Sequence, residues 1–250
     1  NVAIAQELVK TRLPGIFRVH DTPKPRETSE FSRWCKDALN LKVPSFRNRS
    51  RLNTFLAGLR KRPIGDVVTS SFLSTLQRAA YSGSCHPHFG LGKETYCHFT
   101  SPIRRYPDLL VHQQLLARDQ GAPPRLEAEC DDLAKQCTEA EKNGDQAFFA
   151  AVDRLKLRYV EELNRDKTDL LFEGTVARIL PDAVLVYLAK LCMFGSIPLS
   201  VLHGTRPGRD KHTLRGPGKS YKCGDVTYVQ VRCVDTVKGL LQLQPVRPRI

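Results

Sequence analysis

The sequence predicts a mixed α+β protein in which helices come first and short β-strands follow. In several stretches of residues 2–165 the apolar residues recur three and four positions apart, which is the spacing of one helix face. After residue 169 they alternate with polar residues in short runs bounded by glycine and proline, as strands do. We therefore expect two domains, residues 1–168 and 169–250, joined by the polar stretch "NRDKTD" at 164–169.

Four stretches of the first region predict helices with one buried side. Thr28 and Ser29 are candidate caps of the second helix. The chain opens on Asn1 inside an apolar helical pattern without an initiator methionine, so we expect a longer parent polypeptide. The helical positions are Val2, Ala5, Leu8 and Val9, then Phe31, Trp34, Cys35, Ala38 and Leu39, then Leu52, Phe55, Leu56 and Leu59, and finally Phe72, Leu73, Leu76 and Ala80.

A fifth and longer helix is expected from Leu126 to about Arg165. Its seam alternates steps of four and three residues, a spacing typical of a packed helix, and an unbroken helix of this length spans roughly 60 Å. The seam residues are mostly small, so a partner backbone can come close. They occupy positions 126, 130, 133, 137, 140, 144, 147 and 151.

The last eighty residues predict a small β-barrel of the oligonucleotide-binding type, because five short strands in this length are typical of that fold. The loop at 203–222 is basic and glycine-rich, and we expect it to stay mobile and to close over a bound backbone. The predicted strands lie in "FEGTVARIL", "AVLVYL", "FGSIPLSVL", "DVTYVQVRCVD" and "GLLQLQPV".

The charge favours a polyanionic partner. The chain holds 39 Lys and Arg against 26 Asp and Glu, a net charge of +13. The excess is shared, with +7 in residues 1–168 and +6 in residues 169–250. Nucleic acid is the expected partner, and basic surface that serves only solubility is the alternative. The runs "NLKVPSFRNRSR" and "LRKRP" could track a nucleic-acid backbone or form a solvated basic face.

Several classes of protein are disfavoured. The longest strongly apolar stretch, "AVLVYLA" at 183–189, is far shorter than the roughly 18 residues of a membrane span, and we expect neither a transmembrane helix nor a signal peptide. Eight cysteines without a CxxC pair fit reduced thiols and predict a cytoplasmic or nuclear protein. His86, His88 and His98 could ligate a metal, although the missing CxxC and HExxH patterns favour loop and packing roles.

The stretch "YCHFTSPIRRYPDLLVH" at 96–112 indicates a phosphate-binding corner. Ser101 is a good N-cap, and Pro102 fits the first position of a helix. The start of a helix offers unpaired N–H groups and a partial positive charge. Arg104 and Arg105 fall on the same turn, where a guanidinium can bind a phosphate through two hydrogen bonds.

A purely structural interpretation of this stretch is the alternative. In it the two arginines pair with carboxylates on a solvated helix, and no ligand is involved. In the phosphate-binding interpretation, Pro107 either kinks the helix or starts its second segment.

These stretches resemble the RNB ribonuclease family, the RNase II/RNase R exonucleases. Residues 96–112 are similar to the family signature Y-x-H-F-T-S-P-I-R-R-Y-x-D-L-x-x-H, and the last eighty residues resemble its C-terminal S1 domain. The resemblance covers essentially the whole chain, as the later part of the RNB catalytic domain followed by S1. Its other landmarks are "NVAIAQELVKTRLPGIFRVHDTPKP", "LQRAAYS", "HFGLG" and "CTEAEK".

The resemblance implies a 3′-to-5′ exoribonuclease that threads single-stranded RNA into a basic channel and releases 5′-mononucleotides. It implies that Mg²⁺ activates the attacking water. Arg104 matches the family arginine at the scissile phosphate and is the expected catalytic residue. Ser101, Arg105, Tyr106 and Glu141 are the expected substrate-binding residues.

The family's metal-binding motif, D-P-x-x-A-x-D-x-D-D-A or close to it, lies upstream of the segment that begins here. Asp131 and Asp132 resemble ordinary solvated carboxylates, so no metal ligand is expected in this chain, and Mg²⁺ would be held by upstream residues of the parent. We expect the chain alone to be inactive. The alternative is an RNA-binding or scaffold module of a larger, possibly helicase-linked protein that no longer cuts. Ala183 and Leu185 stand where S1 domains usually carry glycine and phenylalanine, which reduces the stacking surface for bases.

Overall fold

The computed structural model describes residues 1–166, 170–208, 212–216 and 219–246. Its contacts divide the chain into two compact units. Unit 1 comprises residues 1–24 and 76–148, and unit 2 comprises residues 25–75 and 149–250. The expected linker at 164–169 falls partly outside the described residues, so the domain boundary at 168/169 remains a prediction.

The helices and strands follow one another largely as the sequence predicts. Among the described residues, no helix combines the length and apolarity that crossing a membrane requires. In chain order the elements are α1 (Val2–Thr11), β1 (Phe17–Val19), α2 (Pro25–Leu39), α3 (Arg49–Leu59), α4 (Gly65–Leu73), β2 (Ala80–Ser82), α5 (Tyr106–Asp119), α6 (Glu127–Asp166), β3 (Phe172–Ile179), β4 (Ala183–Leu188), β5 (Met193–Pro198), β6 (Arg206–Pro207), β7 (Thr213–Gly216), β8 (Lys219–Lys222), β9 (Val226–Asp235) and β10 (Leu240–Pro245).

Unit 1 is built from α1, α5, the first part of α6 and a short antiparallel pair of β1 with β2. The pair sets Arg18 opposite Tyr81. The apolar side chains of unit 1 form two buried clusters that hold these helices and strands together. The fully or largely buried members are Ala5, Leu8, Leu13, Phe17, Cys97 and Val111 in one cluster, and Ile16, Tyr81, Leu110, Cys130 and Ala134 in the other.

Unit 2 contains a closed five-stranded barrel in the order β10-β5-β4-β3-β9. All neighbours are antiparallel except β10 and β5. Alternate residues such as Val184, Val186 and Leu188 point into an apolar core. Gly174 allows close approach of β3 and β4, because a Cβ there would lie 2.4 Å from Val186 Cγ1. The predicted α+β class with an OB-type barrel is confirmed.

Helices α2, α3 and α4 pack in the same unit on one face of the barrel. Phe31, Val67 and Val68 are buried against Ala177 of β3, while Leu185 and Tyr187 of β4 are partly buried in the same cluster. This face of the barrel is therefore covered by helices, which accounts for its aliphatic residues.

We predicted a loop at 203–222, and this prediction is wrong for the described residues. They contain the three strands of the antiparallel sheet β6-β7-β8. Leu214 and Tyr221 face each other across β7 and β8, and both are buried. The strands were not predicted because the stretch is basic and rich in glycine, and this one apolar cross-strand pair gives no recognisable alternating pattern. Residues 209–211 and 217–218 of that loop lie outside the described residues.

Two helix ends differ from expectation. Helix α2 begins at Pro25 rather than behind Thr28 or Ser29, because proline is well suited to the first helical position. The prediction of a helix through Phe72, Leu73, Leu76 and Ala80 is wrong beyond Leu73, where α4 ends, and Ala80 begins strand β2. The hydroxyls of Ser74 and Thr75 donate hydrogen bonds to nearby backbone carbonyls and so compete with the helix.

The long helix α6 spans 40 residues, as predicted, but only part of its seam is packed. Cys130 is buried, and Leu133 and Cys137 are partly buried. The later seam positions 140, 144, 147 and 151 are exposed. Their small side chains carry little apolar area, so exposing them costs little free energy.

Candidate functional site

The Ser101–Arg105 segment is a turn that precedes α5 rather than the first turn of a helix. Helix α5 starts at Tyr106 with Arg105 in the N-cap position, so the prediction of Ser101 as N-cap and Pro102 as first helical residue is wrong. The physical reason is Pro107, which has no N–H and would clash inside a helix begun at Pro102. The helix instead places Pro107 in its first turn.

The turn is held by the buried carboxylate of Asp108. Its Oδ1 accepts hydrogen bonds from the Ser101 backbone N–H at 2.8 Å and from the Arg105 guanidinium at 2.9 Å. The Asp108 side chain is fully buried, and the Arg105 side chain is 22% exposed. Asp108 thus fixes both ends of the segment that carries Arg104.

Four of the five predicted site residues line one cavity of unit 1, of about 560 Å³. They are Arg104, Arg105, Tyr106 and Glu141, whereas Ser101 does not line it. The remaining lining residues are Tyr81, Pro107, Leu133, Gln136, Cys137 and Ala140. Arg104 is exposed and, within the described ranges, its guanidinium has no ion-pair or hydrogen-bond partner. It is available to an anionic ligand.

The other charged groups of the cavity are already paired. The Arg18 guanidinium donates hydrogen bonds to both carboxylate oxygens of Glu141, at 2.7 and 3.0 Å. Arg105 is paired with Asp108. Because these opposite charges cancel locally, Arg104 supplies the uncompensated positive charge of the cavity.

Arg18 and Tyr81 are site residues that the sequence analysis did not single out. The Arg18 guanidinium carbon lies 4.4 Å from the centroid of the Tyr81 ring, within cation–π range. The Tyr81 backbone N–H donates to the Thr138 hydroxyl at 2.9 Å, one turn of α6 before Glu141. Arg18 stands in "GIFRVHD", a stretch that carried the family resemblance, and this was the only available signal.

Tyr81 also shares a hydrogen bond of 3.0 Å with His98 Nδ1. Burial, together with the positive charges of Arg105 and Arg18, lowers the pKa of His98 to about 4. Burial raises the pKa of Tyr81 to about 12. At neutral pH the imidazole is therefore uncharged and the phenol keeps its proton, so neither group adds charge beside Glu141.

His88 and His98 have packing partners, whereas His86 is exposed. His88 Nδ1 accepts a hydrogen bond from the Leu91 N–H, and its ring meets that of His20 edge to face at 5.1 Å. In the part of the chain that the structure describes, no group of three or more His, Cys, Asp or Glu side chains is placed to hold a metal ion. The described residues therefore do not offer the set of ligands that a resident Mg²⁺ would need.

Known proteins share this combination of elements. Residues 1–118 match the model of the RNB domain. Among curated relatives, Ribonuclease R of Escherichia coli is 28% identical over 254 residues, covering 94% of this chain and 30% of the relative. Ribonuclease R of Aquifex aeolicus is 29% identical and covers 94% of this chain and 34% of the relative. The chain thus spans about a third of the length of these relatives.

Solved structures show the same fold over nearly the whole chain. Mycoplasma genitalium RNase R in its apo form gives a TM-score of 0.79 at 24% identity, covering 98% of this chain and 40% of that one. The same enzyme in complex with ribose-methylated single-stranded RNA gives 0.81 at 23% identity, with the same coverage. Yeast Ssd1, described as a pseudonuclease, gives 0.76 at 18% identity and covers 86% of this chain and 27% of that one.

Proposed function

We propose that this chain is part of a 3′-to-5′ exoribonuclease that binds single-stranded RNA and hydrolyses it to 5′-mononucleotides. The observation that carries the proposal is the cavity of unit 1, which gathers Arg104, Arg105, Tyr106 and Glu141 around one unpaired guanidinium. Sequence relatives named Ribonuclease R and a similar structure that holds single-stranded RNA support the choice of RNA as ligand.

Arg104 is the group that contacts the scissile phosphate in this proposal. A guanidinium can donate two parallel hydrogen bonds to phosphate oxygens and stabilise the charge that develops there. Asp108 holds the turn on both sides of Arg104, so the backbone of this residue is positioned before RNA arrives. Preorganised donors of this kind typically contribute about 10²–10³ in rate.

Tyr106 and Glu141 would contact the nucleoside portions. The Tyr106 side chain is 50% exposed beside the cavity, and its ring offers a face on which a base can stack. Glu141 is bound by Arg18 through both oxygens, so its negative charge does not repel the RNA phosphates. Its remaining lone pairs can accept a hydrogen bond from a ribose hydroxyl.

The proposed hydrolysis needs a divalent metal, and we propose that Mg²⁺ is held by carboxylates outside these 250 residues. When bound, such an ion supplies an activated water and neutralises charge on the phosphate. The residues of this chain would bind and orient the RNA strand and stabilise its phosphate through Arg104.

A second candidate function is an RNA-binding module that does not cut. It is favoured by the likeness to yeast Ssd1, which is described as a pseudonuclease. Both candidates use the cavity to hold RNA, and they differ in whether a phosphodiester bond is broken.

Cleavage of a 3′-labelled single-stranded RNA in Mg²⁺ tests the proposal. The samples are this chain, a longer version that includes the residues preceding Asn1 in its parent, and the longer version with Arg104→Ala. Release of labelled mononucleotide by the longer protein, lost in the variant, supports the exonuclease. RNA binding without release by either protein supports the silent module.

A further inference from the structure

Unit 2 contains a cavity that the proposed function does not use. It has a volume of about 470 Å³ and is lined by residues of α2, α4 and β3. This volume falls in the range of small-molecule sites. The lining combines an aromatic ring, hydroxyl groups and side chains of both charges. We call it the Trp34 cavity, and its lining includes Glu27, Glu30, Trp34, Ser71 and Arg178.

The Trp34 cavity carries a carboxylate and a guanidinium that are not engaged in ion pairs. Within the described ranges, neither Glu27 nor Arg178 forms one. Glu30, the second carboxylate, is held by Arg26 at 2.9 Å. The Glu27 side chain is half-buried, and that of Arg178 is exposed. The cavity therefore offers one carboxylate acceptor and one cationic donor to a ligand.

Trp34 supplies the aromatic wall of the cavity. The Arg178 guanidinium carbon lies over its ring, 5.9 Å from the centroid, which is near the limit of cation–π attraction. The Nε1–H of Trp34 is buried and has no acceptor in the part of the chain that the structure describes. A buried donor without an acceptor costs free energy, so packing alone does not explain this wall.

We propose that the Trp34 cavity binds a free guanine nucleotide. The base stacks on the Trp34 ring, in the place that the Arg178 guanidinium covers in the free protein. Arg178 turns to the nucleotide phosphate and donates charge-assisted hydrogen bonds to it. The Ser71 hydroxyl can donate a further hydrogen bond to the same phosphate. Glu27 accepts hydrogen bonds from the edge of the base.

The Glu27 carboxylate accounts for the choice of guanine. Guanine carries two adjacent N–H donors on one edge, at N1 and N2, and these match the two oxygens of a carboxylate. Adenine and cytosine offer only one amino group on that edge. Uracil places its N–H between two carbonyl oxygens, which a carboxylate repels. One unpaired carboxylate beside the ring is therefore sufficient for base preference.

The choice of a nucleotide rests on the proposed function in one respect, because a 5′-mononucleotide is the product of that reaction. An aromatic amino acid is the competing ligand, since its ammonium could contact Glu27 and its carboxylate could contact Arg178. A nucleotide is favoured because it fills more of the 470 Å³. Its two donors also lie in the plane of the stacked base, whereas an ammonium lies outside the plane of its aromatic ring.

Isothermal titration calorimetry of this chain with guanosine 5′-monophosphate (GMP) tests the proposal. The comparison ligands are adenosine 5′-monophosphate (AMP), which changes the base, guanosine, which lacks the phosphate, and L-phenylalanine. Fluorescence locates the bound ligand, because Trp34 is the single tryptophan of the chain.

Two variants remove the groups that the proposal assigns to the nucleotide, Arg178→Gln for the phosphate and Glu27→Gln for the base. Arg232→Gln and Glu162→Gln are the matched controls, since they remove the same charges from exposed positions of unit 2 that do not line the cavity. Circular dichroism verifies that all four variants are folded.

We expect GMP to bind at least about tenfold more tightly than AMP or guanosine and to change the fluorescence of Trp34. Arg178→Gln weakens GMP binding about tenfold without weakening the binding of guanosine. Glu27→Gln removes the preference for GMP over AMP. The control variants keep the affinities of the unaltered chain.

Four results would overturn the proposal. They are no binding of GMP, equal binding of GMP and AMP, tighter binding of L-phenylalanine than of GMP, and a GMP affinity that neither Arg178→Gln nor Glu27→Gln changes.

The test separates this inference from the proposed function. Arg104 lies in the cavity of unit 1, so Arg104→Ala should leave GMP binding to the Trp34 cavity unchanged. GMP binding that is lost in Arg104→Ala and kept in Arg178→Gln belongs to unit 1 and overturns the inference. Binding through Arg178 and Glu27 without nucleotide release by the longer protein keeps the inference and contradicts the exonuclease, and the opposite pair of results does the reverse.

Discussion

The guanidinium of Arg18 holds the carboxylate of Glu141 through two hydrogen bonds, at 2.7 and 3.0 Å. These residues lie 123 positions apart in the chain, and the pair ties β1 to α6 at the edge of the candidate RNA cavity. The Arg18 side chain is only 12% exposed and that of Glu141 is 32% exposed. Glu141 therefore lines the cavity, while Arg18 supports it from behind the lining.

Replacing Arg18 should destabilise unit 1. In Arg18→Ala, Glu141 loses both donors and the Tyr81 ring loses its cation, so we expect the free energy of unfolding to fall by about 2 kcal/mol. Urea denaturation measures this change. The control is Arg26→Ala, which removes an exposed ion pair with Glu30 and should leave stability unchanged. Equal stability of the two variants would contradict the structural role of Arg18.

Asp108 should be needed for the conformation of the Ser101–Arg105 turn. Asp108→Ala leaves the Ser101 N–H and the half-buried Arg105 guanidinium without their acceptor, so we expect a loss of about 2–4 kcal/mol in stability. Asp108→Asn keeps an acceptor for Ser101 and should lose less. Asp132→Ala, at an exposed carboxylate of α6, is the control and should behave like the unaltered chain. A fully stable Asp108→Ala would show that the turn does not depend on this carboxylate.

His98 should make stability depend on pH. The pKa of His98 is about 4 in the folded chain and near 6.5 in the unfolded chain. Between these two pH values the imidazole is therefore protonated in the unfolded chain and neutral in the folded chain. The free energy of unfolding should therefore decrease as pH falls from about 6.5 to about 4, and His98 should add no further slope below that range. Urea midpoints measured from pH 7 to pH 4 check this.

His98→Gln should flatten the acid limb of that profile while retaining an amide that can hydrogen-bond the Tyr81 hydroxyl. His86→Gln, at an exposed histidine, should keep the slope of the unaltered chain. If removing His98 leaves the acid slope unchanged, other groups cause it.

Elements defined by local periodicity were predictable from sequence. The barrel strands and α6 were found because alternation and helical spacing are repeated over many residues, and they fall within a few positions of the observed ends. The sheet β6-β7-β8 was missed because its packing depends on one pair, Leu214 and Tyr221, inside a basic stretch. Glycine and lysine dominated the local signal there.

The candidate site was predictable in part. Arg104, Arg105 and Tyr106 came from one contiguous motif, and Glu141 came from resemblance alone. The partner of Glu141 could not be predicted, since no local pattern reports that Arg18 meets a residue 123 positions away. The helix start was misplaced because Ser101 and Pro102 are good capping residues, but Pro107 decides where a helix can begin.

The most direct test of the central claim is release of labelled mononucleotide from a 3′-labelled single-stranded RNA in Mg²⁺ by the longer protein, with and without Arg104→Ala. We predict that the unaltered longer protein releases 5′-mononucleotides and that the variant still binds RNA but turns over about 10²–10³ times more slowly. Arg104→Lys should recover only part of the rate, because lysine cannot form the two parallel hydrogen bonds. Unchanged turnover in Arg104→Ala would contradict the claim that this cavity holds the phosphate that is cut.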